Sequence, residues 1–204
     1  MRLFLPALGL ATAIAVAGVV LDRPGAAHAG TARRMTVENM VDAADVIVQA
    51  EVLSARSRVG ARGIIETEYV LDVSQTFWGQ PLSTRVVRLP GGVLPDGRGL
   101  VLSGMPELHK GDEALLFLTR ASASGIRMPV GLAQGKFELE RQKNGSLQLT
   151  REIVGLALSN PTTGKVEEAP RVQVFDYAAI VAQVRAAASA RTAREKTEQP
   201  AREE

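Results

Sequence analysis

The stretch from Ile64 to Pro90 constrains the fold of this 204-residue chain more than any other part of the sequence. Apolar and polar residues alternate over its first half, and a period of two predicts a half-buried β-strand. The apolar positions are Ile65, Tyr69, Leu71, Val73 and Phe77. Residues 78–81, Trp-Gly-Gln-Pro, predict a turn, and the alternating run from Thr84 to Leu89 predicts a returning strand.

Two glutamates occupy polar positions of this predicted strand. Glu66 and Glu68 are two residues apart, so they share one face, and their alternation with apolar residues places both on the solvent side. A paired-carboxylate mechanism needs two acids that converge on a cleft. We therefore expect neither glutamate to be catalytic.

Two β-hairpins are predicted around this stretch. A strand beginning at Val46 is joined to the long strand by the turn at residues 60–63, which makes an antiparallel hairpin. Residues 136–141 alternate strictly, and Asn144-Gly145 is a strong hairpin signal before a second alternating run. The apolar run 114–118 is bounded by turns and predicts a central strand covered on both faces.

A helix is predicted on each side of these strands. Thr36 is the expected N-cap of a short helix that ends near Ala44. Asp176 is the expected N-cap of a C-terminal helix. The apolar face of that helix carries Tyr177, Ile180, Val181 and Val184.

The two ends of the chain are expected to lie outside the folded domain. Arg2, the apolar residues 3–21 and Ala27-His28-Ala29 predict a signal peptide over residues 1–29. The alternative is a membrane anchor, since the apolar segment is nearly long enough to span a bilayer. The remaining organisation is predicted as a flexible start (30–35), a single domain (36–188) and a disordered tail (189–204). We expect an exported protein, periplasmic or extracellular, without stable membrane insertion after cleavage.

The segment from Pro90 to Pro106 carries five glycines and three prolines, which exclude a continuous helix. Residues 95–97, Pro-Asp-Gly, predict a tight turn, and residues 100–102 predict a short strand within the loop. Loops of this length are often functional, so a binding role and a merely mobile loop are both open. Trp78 is likewise either a packing residue or an exposed anchor on the same rim as this loop.

The residues that could carry chemistry are few. His109 is the only histidine left after signal cleavage, and its spacing from Asp112 fits a base and an orienting carboxylate in a hydrolase with a loop serine. The alternative is an exposed loop histidine, because no nucleophile-elbow pattern is present. With one histidine and no cysteine, an imidazole or thiolate metal site is excluded, and no cofactor is expected. A net charge of +2 gives no electrostatic case for nucleic-acid binding.

Three segments, in this order, resemble the netrin-like domain of tissue inhibitors of metalloproteinases. They are residues 43–52, 68–79 and 110–118. The chain is also similar to a group of uncharacterised exported bacterial proteins through Pro90-Gly91-Gly92 and residues 131–137. The resemblance implies an OB-type barrel and a secreted or periplasmic metalloprotease as partner. Those inhibitors act through an N-terminal cysteine, which this chain lacks, so no inhibitory residue is transferred.

The sequence therefore predicts a mainly β fold, an antiparallel OB-type or netrin-like β-barrel with a short N-terminal helix and a C-terminal helix. The predicted function is that of an exported, non-catalytic binding module for a protein partner. A hydrolase using His109 and Asp112, or a glycan-binding barrel, is the alternative. The predicted binding residues are Trp78, Gly91, Gly92, Asp96, Arg98, Met105 and His109.

Overall fold

The computed structural model describes residues 30–167 and 169–198, apart from the side chains of Arg62 and Glu198. The predicted signal peptide and residues 199–204 of the predicted tail lie outside the described residues. Within the two described ranges, no helix is both long and apolar enough to cross a membrane.

The chain forms twelve strands and two α-helices over the described ranges. In chain order they are β1 (Gly30–Arg33), α1 (Val37–Ala43), β2 (Val46–Val59), β3 (Ile65–Trp78), β4 (Thr84–Pro90), β5 (Gly92–Val93), β6 (Gly99–Leu100), β7 (Glu113–Leu118), β8 (Lys136–Arg141), β9 (Leu147–Glu152), β10 (Leu156–Ser159), β11 (Val166–Glu167), β12 (Val172–Asp176) and α2 (Tyr177–Glu198). Two short 3₁₀-helices span Ala61–Gly63 and Leu132–Gly135. The prediction of a mainly β fold with a C-terminal helix is confirmed.

The main sheet has seven antiparallel strands in the order β12-β9-β8-β7-β2-β3-β4. A smaller sheet has the order β1-β10-β11, and β5 pairs with β6 inside the 90–106 loop. Strands β12 and β4 are the two edges of the main sheet and do not pair with each other. Across the residues that the structure describes, the strands thus form open sheets and no closed barrel.

The main sheet is covered on both faces, and β7 lies at its centre. Leu115 and Phe117 face α1 and α2, whereas Leu116 and Leu118 face the opposite side. The helix-side core includes Met40, Ile47, Leu115, Phe117, Phe137, Ile180 and Val184. The loop-side core includes Val48, Val52, Tyr69, Leu71, Val87, Leu89, Leu108, Leu116 and Leu118. The prediction that residues 114–118 form a strand buried on both faces is confirmed.

Both predicted hairpins and both predicted caps are present. Strand β2 pairs with β3, and β8 pairs with β9 through the Asn144-Gly145 turn. The Thr36 hydroxyl accepts a hydrogen bond from the Asn39 amide at 3.2 Å. Asp176 Oδ1 accepts one from the Ala179 amide at 2.7 Å. These features depend on residues close in sequence, which explains why local patterns find them.

The structure differs from the prediction at both ends of the domain. Instead of a flexible start, β1 pairs in parallel with β10, with Gly30 opposite Leu156. Instead of a disordered tail, α2 continues to Glu198, where Ala, Arg, Glu and Lys all favour helix. Partner strand β10 is more than a hundred residues from β1, and no local pattern encodes such a pairing.

Trp78 and the 90–106 loop lie at opposite ends of β3, so the prediction that they share one rim is wrong. Pro90 is in register with Glu66, near the start of β3, whereas Trp78 is its last residue and lies opposite Ile47. The cause is the hairpin itself. A strand that returns from the turn at residues 79–83 brings its end back to the start of β3.

Glu66 is also placed differently from the prediction, because only 1% of it is exposed. Its Oε1 pairs with Nη2 of Arg58 at 2.9 Å and with Nη1 of Arg88 at 3.5 Å. A Cβ on Gly60 would lie 2.4 Å from Glu66 Oε2, so the turn after β2 folds over this carboxylate. Alternation places Glu66 on the correct face, but that face is covered here by the turn and two arginines.

Candidate binding site

A cavity of about 350 Å³ lies between the start of β3, the end of β4 and the loop that follows β4. We call it the loop cavity. Its lining residues are Ala55, Ser57, Thr67, Tyr69, Leu89, Pro90, Gly91, Gly92, Val93, Leu100, Val101, Leu102, Met105, Pro106, Glu107, Leu108 and His109. Four predicted binding residues, Gly91, Gly92, Met105 and His109, are among them.

Two hydroxyl groups lie at one wall of the loop cavity. The Thr67 hydroxyl donates to the Gly91 carbonyl at 2.7 Å, and its oxygen lies 2.9 Å from Ser57 Oγ. Because the Thr67 proton is already used, Ser57 is the donor of the second bond. Neighbouring strands β2 and β3 bring these residues together, with Ser57 opposite Thr67 in register.

Gly91 and Gly92 hold the loop against this hydroxyl pair. Their φ angles are +103° and +124°, in a region where residues with a Cβ are strained. A Cβ on Gly92 would lie 2.2 Å from Thr67 Oγ1 and 2.5 Å from Ser57 Oγ. Only glycine allows the backbone to approach so closely, which explains the Pro-Gly-Gly sequence at this point.

Tyr69 lies beside the hydroxyl pair and is almost fully buried. Burial is the main cause that raises the pKa of its phenol above the usual value of 10.0, although the neighbouring Thr67 hydroxyl acts in the opposite direction. The charges of Glu107 and Asp112 raise the pKa further. Tyr69 therefore contributes a neutral hydroxyl to the cavity at physiological pH.

The rest of the cavity is apolar, and the two valines at its rim are unusually exposed. Leu89 and Leu108 belong to the loop-side core, and Met105 packs against it. At the rim, Val93 is 62% exposed and Val101 is 86% exposed. Apolar side chains clustered in this way beside a concavity are typical of interaction sites.

Asp96 and Arg98 lie at the tip of the loop and do not line the cavity. Asp96 accepts from the backbone amide of Arg98 at 3.0 Å and from its Nε at 2.9 Å. These hydrogen bonds lower the pKa of the Asp96 carboxyl. The pair stabilises the turn at residues 95–97, where the Gly97 amide donates to Leu94.

His109 and Asp112 are close, but in a capping arrangement. Asp112 Oδ2 accepts a hydrogen bond from the backbone amide of His109 at 2.8 Å, while His109 Nδ1 lies 3.6 Å away. The imidazole is 70% exposed. Within residues 30–167 and 169–198, no serine hydroxyl forms a hydrogen bond to His109.

Trp78 has packing contacts at the other end of β3. It lies against the helix-side core, and the guanidinium of Arg191 is 4.2 Å from its ring centroid. Nη1 of Arg191 also donates to the carbonyls of Val41 and Ala44 at 2.8 and 2.7 Å. These are the contacts of a packing residue, one of the two roles considered for Trp78, and not those of an exposed anchor.

Sequence reasoning missed the polar wall of the cavity. Ser57, Thr67 and Tyr69 were not predicted as site residues. One signal was available, because Thr67 is a polar residue in the inward register of Ile65, Tyr69 and Leu71. A hydroxyl at an inward position needs a partner, and here the partner is the loop itself.

The chain was compared with known proteins, and no family model, no curated protein and no solved structure matches it. The netrin-like relationship accordingly stays a prediction from the resemblance.

Proposed function

We propose that this chain is an exported, non-catalytic binding module that takes an apolar side chain of a protein partner into the loop cavity. The observation that carries the proposal is the combination of an apolar concavity of about 350 Å³ with exposed Val93 and Val101 at its rim. A concave apolar pocket with a few fixed polar groups is the usual form of a binding site.

A side chain of a partner fits this site better than a large free ligand. The volume is near the lower end of ligand cavities, and the rim presents apolar surface beyond the cavity itself. That outer surface would be covered only by a ligand extending past the mouth, as a protein does. An anchor in a pocket with surrounding apolar contacts is the arrangement of an interface hot spot.

The arrangement around His109 supports binding over hydrolysis. A general base needs a hydrogen-bonded nucleophile or a path to one. The imidazole of His109 is exposed to solvent, and Asp112 Oδ2 accepts a hydrogen bond from the backbone amide of His109. We therefore keep hydrolysis as the weaker alternative.

A secreted or periplasmic metalloprotease is the partner class that the netrin-like resemblance suggests. The same proposal includes an OB-type relationship for the main sheet. It does not include contact with the protease zinc through an N-terminal cysteine, because the chain has no cysteine. The loop cavity would instead recognise the surface of the protease.

The test uses the fact that the chain has no cysteine. A benzophenone label is attached to Val101→Cys, and the matched control carries it at Val174→Cys, a 58% exposed valine on β12. Irradiation in the exported fraction should crosslink a defined protein to position 101 and not to position 174. The captured protein is then purified, and its affinity for the unlabelled chain is measured.

Val101→Asp should weaken that affinity by about tenfold or more, because it places a charge at an apolar contact. Val174→Asp should leave it unchanged. If the captured protein is a metalloprotease, its inhibition should follow the same order. Equal effects of the two substitutions, or no specific crosslink, would refute the proposed site.

A further inference from the structure

One hydroxyl group of the loop cavity is not used by the fold. Tyr69 lines the cavity, and its side chain belongs to a residue that is only 8% exposed. The neighbouring Thr67 hydroxyl donates to the Gly91 carbonyl, and its oxygen accepts from Ser57. In the part of the chain that the structure describes, Tyr69 Oη forms no hydrogen bond with Thr67 or with any other group.

The Tyr69 oxygen faces open space and is not sealed in the core. The sealed side-chain atoms without a hydrogen bond in the described ranges are Arg34 Nε, Glu66 Oε2 and Arg85 Nε. Tyr69 Oη is not among them, so it is accessible from the cavity that its side chain lines. Buried hydroxyl groups normally have a partner, because leaving one without it is destabilising. We therefore looked for the partner among groups that could enter the cavity.

Ser57 provides a hydrogen-bond acceptor on the same wall. Ser57 lies opposite Thr67 in register, and Ala55 lies opposite Tyr69, so Ser57 and Tyr69 are diagonal neighbours on β2 and β3. Both line the loop cavity. The Ser57 proton is donated to Thr67, which leaves lone pairs of Ser57 Oγ for another donor. The wall thus offers one donor, the Tyr69 O–H, and one acceptor, Ser57 Oγ.

The remaining lining requires an apolar body. Leu89, Met105 and Leu108 line the cavity and belong to the loop-side core or pack against it. The volume of about 350 Å³ accommodates one aromatic ring, and the hydroxyl groups are confined to one wall. A side chain that fills this space is therefore apolar along its length and polar at its tip. Tyrosine has this form.

The charges around the cavity favour a neutral tip. After burial, the charges of Glu107 and Asp112 raise the pKa of the Tyr69 phenol, and Glu107 itself lines the cavity. The same negative potential disfavours a carboxylate at the Tyr69 hydroxyl. An ammonium group would lose its hydration in the cavity, and Asp112 already accepts from the His109 amide and lies 3.8 Å from Lys136 Nζ. A phenol avoids both costs.

We infer that the loop cavity is selective for a tyrosine side chain of the partner. This inference rests on the proposed function and specifies its anchor as an aromatic ring with a hydroxyl tip. The ring lies among the apolar lining residues, Tyr69 donates to the phenolic oxygen, and the phenolic proton is donated to Ser57 Oγ. Tyr69 then determines specificity, because a site that hydrogen-bonds a hydroxyl rejects an analogue that lacks it.

The test compares two small probes, p-cresol and toluene, which differ by one hydroxyl group. Each is titrated into the native chain, and the ¹H–¹⁵N amide signals of Gly91 and Gly92 report the Kd. p-Cresol should bind about tenfold more tightly than toluene, the difference expected when the hydroxyl groups are satisfied. A cavity that is merely apolar gives the opposite order, because the phenol would lose its hydration without compensation.

Tyr69→Phe removes the donor and keeps the ring. It should weaken the binding of p-cresol about tenfold and leave the binding of toluene unchanged. Tyr177→Phe is the matched control, because Tyr177 is the only other tyrosine of the chain. Its hydroxyl donates to Gln49 Oε1 at 2.7 Å, and its ring packs against the helix-side core on the other face of the main sheet. This variant should bind both probes as the native chain does.

The comparison in the native chain decides the question even if Tyr69→Phe does not fold. Toluene that binds as tightly as p-cresol overturns the inference and leaves the proposed function with a purely apolar anchor. The inference is also overturned if neither probe shifts the Gly91 and Gly92 signals, or if Tyr177→Phe weakens p-cresol binding as much as Tyr69→Phe. Failure of the proposed function is recognised separately, by the lack of a specific crosslink at position 101, which depends on neither probe.

Discussion

Gly92 shows how a single missing Cβ can shape a cavity. At φ +124°, an added methyl group would overlap both hydroxyl oxygens of the cavity wall. Gly92→Ala should lower the free energy of unfolding by about 3 kcal/mol, from backbone strain together with overpacking. Urea denaturation followed by circular dichroism measures the change.

Gly97→Ala is the control that separates overpacking from backbone strain in the loss of stability expected for Gly92→Ala. Gly97 also has a positive φ, +85°, but an added Cβ would meet nothing within 4 Å. Its substitution should cost about 1 kcal/mol, from backbone strain alone. Equal costs at the two glycines would mean that close approach to Ser57 and Thr67 is not what fixes the loop.

Asp45 gives the fold a predictable response to acid. Its hydrogen bond to Arg127, 2.7 Å long, is the first cause that holds the pKa of this carboxyl below its usual value of 3.8, and the charge of Arg127 adds to it. A lowered folded-state pKa stabilises the fold above pH 3.8, and this contribution is lost as pH falls through the folded-state value. Asp45→Asn should therefore reduce stability near pH 7 and make it less dependent on pH below 3.8.

Denaturation curves measured between neutral pH and strong acid test this expectation. Arg127→Met should flatten the acid limb in the same direction but less completely, because it removes the main cause of the lowered pKa of Asp45 while Arg120 remains. If the native chain and Asp45→Asn lose stability in parallel down to strong acid, the pair does not contribute in this way.

Helix α2 is held to the rest of the fold by its apolar face and, in addition, by Arg191. This side chain donates to two carbonyls at the end of α1 and lies over Trp78. Arg191→Ala should lower the free energy of unfolding by roughly 2–4 kcal/mol, the sum expected for charged hydrogen bonds and a cation–π contact. Acrylamide should also quench the fluorescence of Trp78 more strongly.

Arg194→Ala is the matched control, three residues further along α2. Arg194 pairs with Asp42, but both side chains are largely exposed, so the substitution should cost less than about 0.5 kcal/mol. Comparable losses for the two variants would show that the contact with α1 and Trp78 does not determine how α2 is held, because alanine favours helix at least as well as arginine does.

Elements whose signals are local could be predicted, and those joined over long distances could not. The Asn144-Gly145 hairpin and the Asp176 cap are encoded within a few residues. The pairing of β1 with β10 and the attachment of α2 through Arg191 depend on partners more than a hundred residues away. For the same reason, the glycines and prolines of residues 90–106 mark Gly91 and Gly92 as loop residues, whereas the Ser57–Thr67 pair required the register of two strands.

At the scale of the whole molecule, β3 separates two regions with different roles. Its start contributes to the loop cavity, and its end carries Trp78 against α2. Thr67 lines the loop cavity, and the eleven residue steps from it to Trp78, at about 3.4 Å each, place these regions roughly 37 Å apart. The sequence-based prediction put Trp78 and the 90–106 loop on one rim because sequence patterns indicate the order of the strands but not the end of β3 to which the hairpin returns.

This separation predicts that the two ends of β3 contribute independently to stability. The double variant of Gly92→Ala and Arg191→Ala should lose the sum of the two single losses, to within about 0.5 kcal/mol, because no contacts are shared over such a distance. Acrylamide quenching of Trp78 should be the same in Gly92→Ala as in the native chain under native conditions. A coupling energy above about 1 kcal/mol would show that the central strands transmit strain between the loop cavity and α2, and that the 90–106 loop and the helix respond to one another.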